Sequence, residues 1–191
     1  MDVNSPIVDM VQSQVIAAIH KPELIDEAVG SKANIAFLLT GDLLAIKDYV
    51  HRLKSAGMSV FIHFDFIEGL SNHKSAIQYA AREWQPDGII TTRNQLIKAA
   101  KEEGLLTIQR IFLIDSSALK RGIELVRSCG PDAIEVLPGL MPRVIYELTE
   151  ELPIPLIAGG LIKHKEEILE ALRAGALATS VGDPKLWHLD L

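Results

Sequence analysis

Polar residues interrupt three short apolar runs, where a side chain that cannot hydrogen-bond would be costly. His63 and Asp65 lie in Ser59–Phe66, Gln109 and Arg110 in Leu106–Phe112, and Glu135 in Ala133–Leu137. An imidazole, two carboxylates, an amide and a guanidinium can orient the hydroxyls of a small polyol or move protons between them. A second set is rich in glycine: Ala158-Gly159-Gly160-Leu161 and Ala178-Thr179-Ser180-Val181-Gly182 each close a short apolar run. Glycine lets main-chain N–H groups approach an anion, and the hydroxyl of Thr179 or Ser180 adds a donor. Either stretch alone marks only a tight turn. Together they predict a phosphate site at Gly159, Gly160, Thr179, Ser180 and Gly182, with a polyol end at His63, Asp65, Gln109, Arg110 and Glu135.

The elements that must position these residues alternate from end to end. Strands are expected at Val15–Ile19, Asn34–Leu39, Ser59–Phe66, Gly88–Thr92, Leu106–Phe112, Ala133–Leu137, Pro155–Ala158 and Ala178–Val181. Between them run amphipathic helices. Leu43, Ile46, Val50 and Leu53 form one apolar stripe, as do Leu119, Ile123 and Val126, and Ile168 with Leu172. Thr92-Arg93-Asn94-Gln95 fits a capping box with Thr92 at the N-cap. Gly30, Gly57, Gly104, Gly130 and Gly175 stand where helices should stop, and Pro22, Pro142 and Pro184 where they should start. Alternating strands and helices imply parallel pairing through right-handed crossovers. Eight such units in 191 residues predict a single-domain (β/α)8 TIM barrel spanning residues 1–191. An open doubly wound sheet would usually carry a Gly-x-Gly-x-x-Gly turn after an early strand, and the chain has none.

In a barrel of this kind ligands sit at the C-terminal strand ends. Alternation in the third strand sends Val60, Ile62, Phe64 and Phe66 to the helices, and His63 and Asp65 to the mouth. In the sixth strand it sends Ile134 and Val136 out and Glu135 in. Alternation does not decide which of Gln109 and Arg110 points inward, although Arg110 is placed to pair with Glu135. The alternative is that these groups only satisfy one another inside the barrel. His20 ends the first strand and also reaches the mouth, whereas Lys163 reads as a solvated charge opening a helix and Trp187 as packing under the rim.

Several classes are disfavoured. No lysine ends a strand, which argues against Schiff-base chemistry. No dense carboxylate cluster accompanies His63, Asp65 and Glu135, so no metal or other cofactor is expected. The net charge of −6 does not advertise nucleic-acid binding, and the basic residues are scattered. The lone Cys129 reads as a small buried hydrophobe and favours a reducing compartment. Met1-Asp2-Val3-Asn4 lacks the basic region of a signal peptide, and no apolar run is long enough to span a membrane, so the cytoplasm is the expected location.

Longer stretches carry a resemblance. They are His63-Phe64-Asp65-Phe66-Ile67-Glu68-Gly69, Gly88-Ile89-Ile90-Thr91-Thr92-Arg93, Gln109 through Leu119, Ile134-Glu135-Val136-Leu137-Pro138-Gly139-Leu140-Met141-Pro142, Ala158-Gly159-Gly160, and Lys185-Leu186-Trp187. With these the chain resembles the glycerol-3-phosphate-responsive antiterminators, regulators of bacterial glycerol uptake operons, over nearly its whole length. The resemblance implies a non-catalytic protein that binds glycerol 3-phosphate and acts on leader mRNA so that transcription passes a terminator. A homo-oligomer is one form the RNA-competent state could take. The stretch Val181-Gly182-Asp183-Pro184 is longer than the family's turn, which leaves open which of Thr179, Ser180 and Gly182 meets phosphate. A barrel enzyme for a phosphorylated polyol or glycerophosphodiester is the competing reading, with His63, Asp65 and Glu135 in acid–base roles.

Overall fold

The computed structural model describes residues 5–191. Its strands are β1 (Val15–Ile19), β2 (Ile35–Leu38), β3 (Ser59–His63), β4 (Gly88–Thr91), β5 (Leu106–Phe112), β6 (Ala133–Leu137), β7 (Leu156–Gly159) and β8 (Ala178–Val181). Each pairs in parallel with the next, and β8 returns to β1, so the sheet closes in chain order. Around it lie α1 (Pro6–Met10), α2 (Ile25–Val29), α3 (Ile46–Ser55), α4 (Lys74–Tyr79), α5 (Asn94–Glu102), α6 (Ser116–Cys129), α7 (Pro142–Glu151) and α8 (Lys165–Arg173). This is the expected (β/α)8 barrel.

Period-two alternation divides the apolar residues into two layers. Inside the barrel Ile16, Phe37, Phe61, Ile90, Ile108 and Ile157 form one buried cluster. Ile7 of α1 joins that cluster, and Asn34 ahead of β2 ties the carbonyl of Met10 down, so α1 closes the N-terminal end of the barrel. Outward-facing Ala17, Leu38, Val60 and Ile62 meet Ile46, Val50 and Leu53 of α3. On the far side Ile134, Val136, Leu156 and Ala158 meet Ile145 and Leu148 of α7. Residues two positions beyond the interior cluster therefore reach the C-terminal mouth: His63 after Phe61, Arg110 after Ile108, Glu135 after Ala133, Gly159 after Ile157, Ser180 after Ala178.

Some local expectations are corrected. β3 ends at His63, and Phe64–Phe66 is a 3-10 turn, so alternation does not extend to Asp65 or Phe66. α5 begins at Asn94 with Arg93 at its N-cap and no side-chain cap. Thr92 is instead held by Asp65, to which both its amide and its hydroxyl donate. Gly57, Gly104, Gly130 and Gly175 end helices with positive φ, but Gly30 stays in the right-handed region at φ −80°.

Candidate ligand site at the barrel mouth

A cavity of about 630 Å³ opens at the C-terminal strand ends, between the exits of β5–β8 and those of β1 and β2. One wall is a buried hydrogen-bond network. Arg110 Nε donates to Glu135 Oε2 at 2.6 Å, and Ser180 Oγ donates to Glu135 Oε1 at 2.5 Å. Register explains the first bond, because Arg110 stands directly opposite Glu135 on the neighbouring strand. The second crosses over β7, which is possible only because Gly159 has no side chain. A Cβ there would lie 2.2 Å from Ser180 Oγ and 2.8 Å from Glu135 Oε1. Among the described residues Arg110 bonds through Nε alone, and it lines the cavity. Its terminal amino groups make no hydrogen bond among the described residues, while Glu135 orients the guanidinium.

Turns supply another part of the lining. After β7, Gly160 and Leu161 adopt consecutive left-handed conformations, with φ 74° and 63°. They line the cavity with Lys163, His164, Gly182 and His20. Helix-start amides beside it are already capped by the chain. Glu167 accepts from the amides of Lys163 and His164 at 2.7 and 3.0 Å, which holds its carboxyl below the usual range. Asp183, also on the cavity wall, accepts from the Lys185 amide at 3.0 Å at the start of the turn Pro184–His188. An anion is left the turn at Gly160–Leu161, the Gly182 segment and the charge of Lys163.

Of the predicted residues, the structure brings Arg110, Glu135, Gly160, Ser180 and Gly182 onto the cavity, with Gly159 directly behind. His63 points inward beside it but is covered. Its ring packs at a tilt on Phe66 with centroids 4.2 Å apart, and neither ring nitrogen has a hydrogen-bond partner among the described residues. Burial, then the charge of Arg110, pushes its pKa down to about 3. The others lie elsewhere. Asp65 turns to β4, where it accepts from Thr91 Oγ1 as well as from Thr92. Gln109 and Thr179 have the wrong parity for the mouth. Gln109 faces Cys129 of α6, whose Sγ is 3.8 Å from its Oε1, and Thr179 Oγ1 donates to the Gln14 carbonyl.

Lys163, read from sequence as a solvated charge opening a helix, stands on the cavity wall with His164, and the signal that could have found them is their place on the β7 exit. His20 lies there as expected, and Trp187 is fully buried with Nε1 donating to the Val181 carbonyl. Among the described residues no group of three or more His, Cys, Asp or Glu is arranged to hold a metal, and no helix is long and apolar enough to cross a membrane.

Residues 15–187 match the family of glycerol-3-phosphate responsive antiterminators. The chain belongs to this family. A crystal structure of the glycerol uptake operon antiterminator regulatory protein from Listeria monocytogenes is similar at 35% identity and TM-score 0.89, covering 93% of this chain and 96% of that one. A glycerol uptake operon antiterminator-related protein from Thermotoga maritima is similar at 34% identity and TM-score 0.82, covering 92% and 98%. An uncharacterized protein of Escherichia coli K12, YgcP, is 38% identical over 178 residues, 93% of each chain.

Proposed function

We propose that this antiterminator-family chain senses glycerol 3-phosphate in the cytoplasm and, once loaded, acts on the leader mRNA of glycerol-utilisation operons so that transcription passes a terminator. The observation that carries this reading is the cavity's two kinds of polar lining. Backbone turns and Lys163 suit a phosphate dianion. Arg110 and Ser180, both oriented by Glu135, suit hydroxyls. Family membership supplies the ligand's identity and the regulatory role. Both Glu135 oxygens are engaged, which suits a group that holds its neighbours rather than one that shuttles protons.

Two measurements test the reading. Calorimetry should give tighter binding for glycerol 3-phosphate than for glycerol or inorganic phosphate. A gel shift with leader RNA at low salt should require the ligand. The absence of any ligand-dependent shift would overturn the regulatory role, and turnover of a glycerophosphodiester with added divalent ions, lost in Glu135→Gln, would favour a barrel enzyme instead.

A further inference from the structure

Single-stranded RNA is held by exposed rings on which bases stack and by guanidinium or ammonium groups on its phosphates. The exits of β3 and β4 combine these groups. Phe66 is 49% exposed, although Phe64 in the same turn is buried and anchors it. The Phe66 ring rests on His63 and lies 5.9 Å from the guanidinium carbon of Arg110, within cation–π range. Arg93, on the adjoining exit, is half-exposed but held in direction. Its Nε is 3.6 Å from Asp65 Oδ1, and the Asn72 side-chain amide, turned with its oxygen toward Arg93, accepts from both terminal nitrogens at 3.2 and 3.3 Å. Asn72 in turn borders a groove of about 430 Å³ between α4 and α5, lined by Lys98 and by the Lys74–Glu102 ion pair. Many basic side chains of the molecule are matched to carboxylates, including Lys47, Lys74, Lys101 and Arg127. Lys98 has no carboxylate partner among the described residues.

We propose that Phe66, Arg93 and Lys98 form the RNA contact. A single-stranded segment leaves the mouth along the α4–α5 groove, with one base stacked on Phe66 and successive phosphates at Arg93 and Lys98. The proposal rests on the regulatory reading above and gives it a surface. It also joins that surface to the ligand: the guanidinium that faces the cavity is the one beside the Phe66 ring. The Phe66 ring is held there by its contact with His63 and by the Arg110 cation.

The test uses the full chain at saturating glycerol 3-phosphate. The probe is a fluorescent pool of randomised single-stranded RNA enriched on the loaded wild type. A ligand-induced rise in melting temperature certifies that each variant is folded and loaded. Phe66→Ala should weaken binding about tenfold or more, and Phe66→Trp should restore it to within about threefold of wild type. Arg93→Ala and Lys98→Ala should each weaken it and lower the log–log salt slope by about one. If wild type enriches RNA and the three alanine variants bind it as wild type does, the patch is wrong and the regulatory reading stands. If loaded wild type enriches no RNA, both fall. A concentration-dependent dimer lost in Phe66→Ala, with RNA binding intact, would reassign the patch to a second copy of the chain.

Discussion

Glu135 converts the barrel interior into a site, because one buried carboxylate fixes both Arg110 and Ser180. Removing it leaves a buried guanidinium unpaired, the expensive way to break such a pair. Glu135→Ala should therefore lose about 3–5 kcal/mol of stability in urea titrations. The double variant Arg110→Met with Glu135→Leu should recover most of that loss, since apolar replacements of similar volume remove the desolvation cost. Its ligand affinity should stay abolished by calorimetry, which separates the pair's role in folding from its role in binding. His63 gives a second test at this scale. Its folded pKa of about 3 lies below the ordinary 6.5, with burial as the main cause. Between those values the unfolded chain takes up a proton that the folded chain refuses, so stability is complete above about pH 6.5 and is lost as pH falls toward 3. His63→Leu should flatten the stability-versus-pH curve across that window; an unchanged slope would place the imidazole in a more polar setting.

At the scale of elements, parity decides membership of the site. Ser180 faces the mouth, so Thr179 must face the helices, and Arg110 facing in sends Gln109 out. Parity holds only while a strand lasts. β3 ends at His63, and the next turn carries Asp65 to the start of the β4 exit, where it replaces the expected capping box with bonds to Thr91 and Thr92. β7 contributes mainly an absence of side chain. Gly159→Ala would push a methyl into the Ser180–Glu135 bond. The variant should bind glycerol 3-phosphate at least about tenfold more weakly, the equivalent of about 1.4 kcal/mol, roughly one net hydrogen bond. Wild-type affinity in this variant would mean that the bond does not matter to the ligand. Gly160→Val is less clean, because φ 74° strains a β-branched residue whatever the ligand does.

For the whole molecule, the two ends of the barrel are specialised. α1 closes one end with Ile7, and short turns leave the other open as a largely apolar cavity that carries a few charged and polar groups. A ligand seated there contacts turns from β7 and β8 and the network reaching β5 and β6, so it should stabilise the closed sheet as a unit. At a hundredfold excess over Kd the linkage amounts to about 2.7 kcal/mol. For a chain of this size that should raise the melting temperature by roughly 5–10 °C. Glycerol or phosphate alone at the same concentration should shift it far less, and equal shifts would mean that the two kinds of lining do not act on one molecule.

Much of this was legible in the chain itself. Four strands, β1, β5, β6 and β8, have the bounds that apolar runs and turn residues predict, because β-branched clusters, amphipathic stripes and helix-ending glycines are local signals. The pairing of Arg110 with Glu135 was equally readable, since neighbouring parallel strands place such residues side by side. What only the tertiary structure decided depends on contacts remote in sequence. Gly159 is a space for a hydrogen bond between β6 and β8, Asp65 serves β4 rather than the mouth, and Phe66 covers His63. Lys163 and His164 join the site because a closed ring of strands gathers the β7 exit around one mouth with those of β5, β8 and β1. Local propensity sets where strands begin and end; barrel closure sets which of their ends face one another.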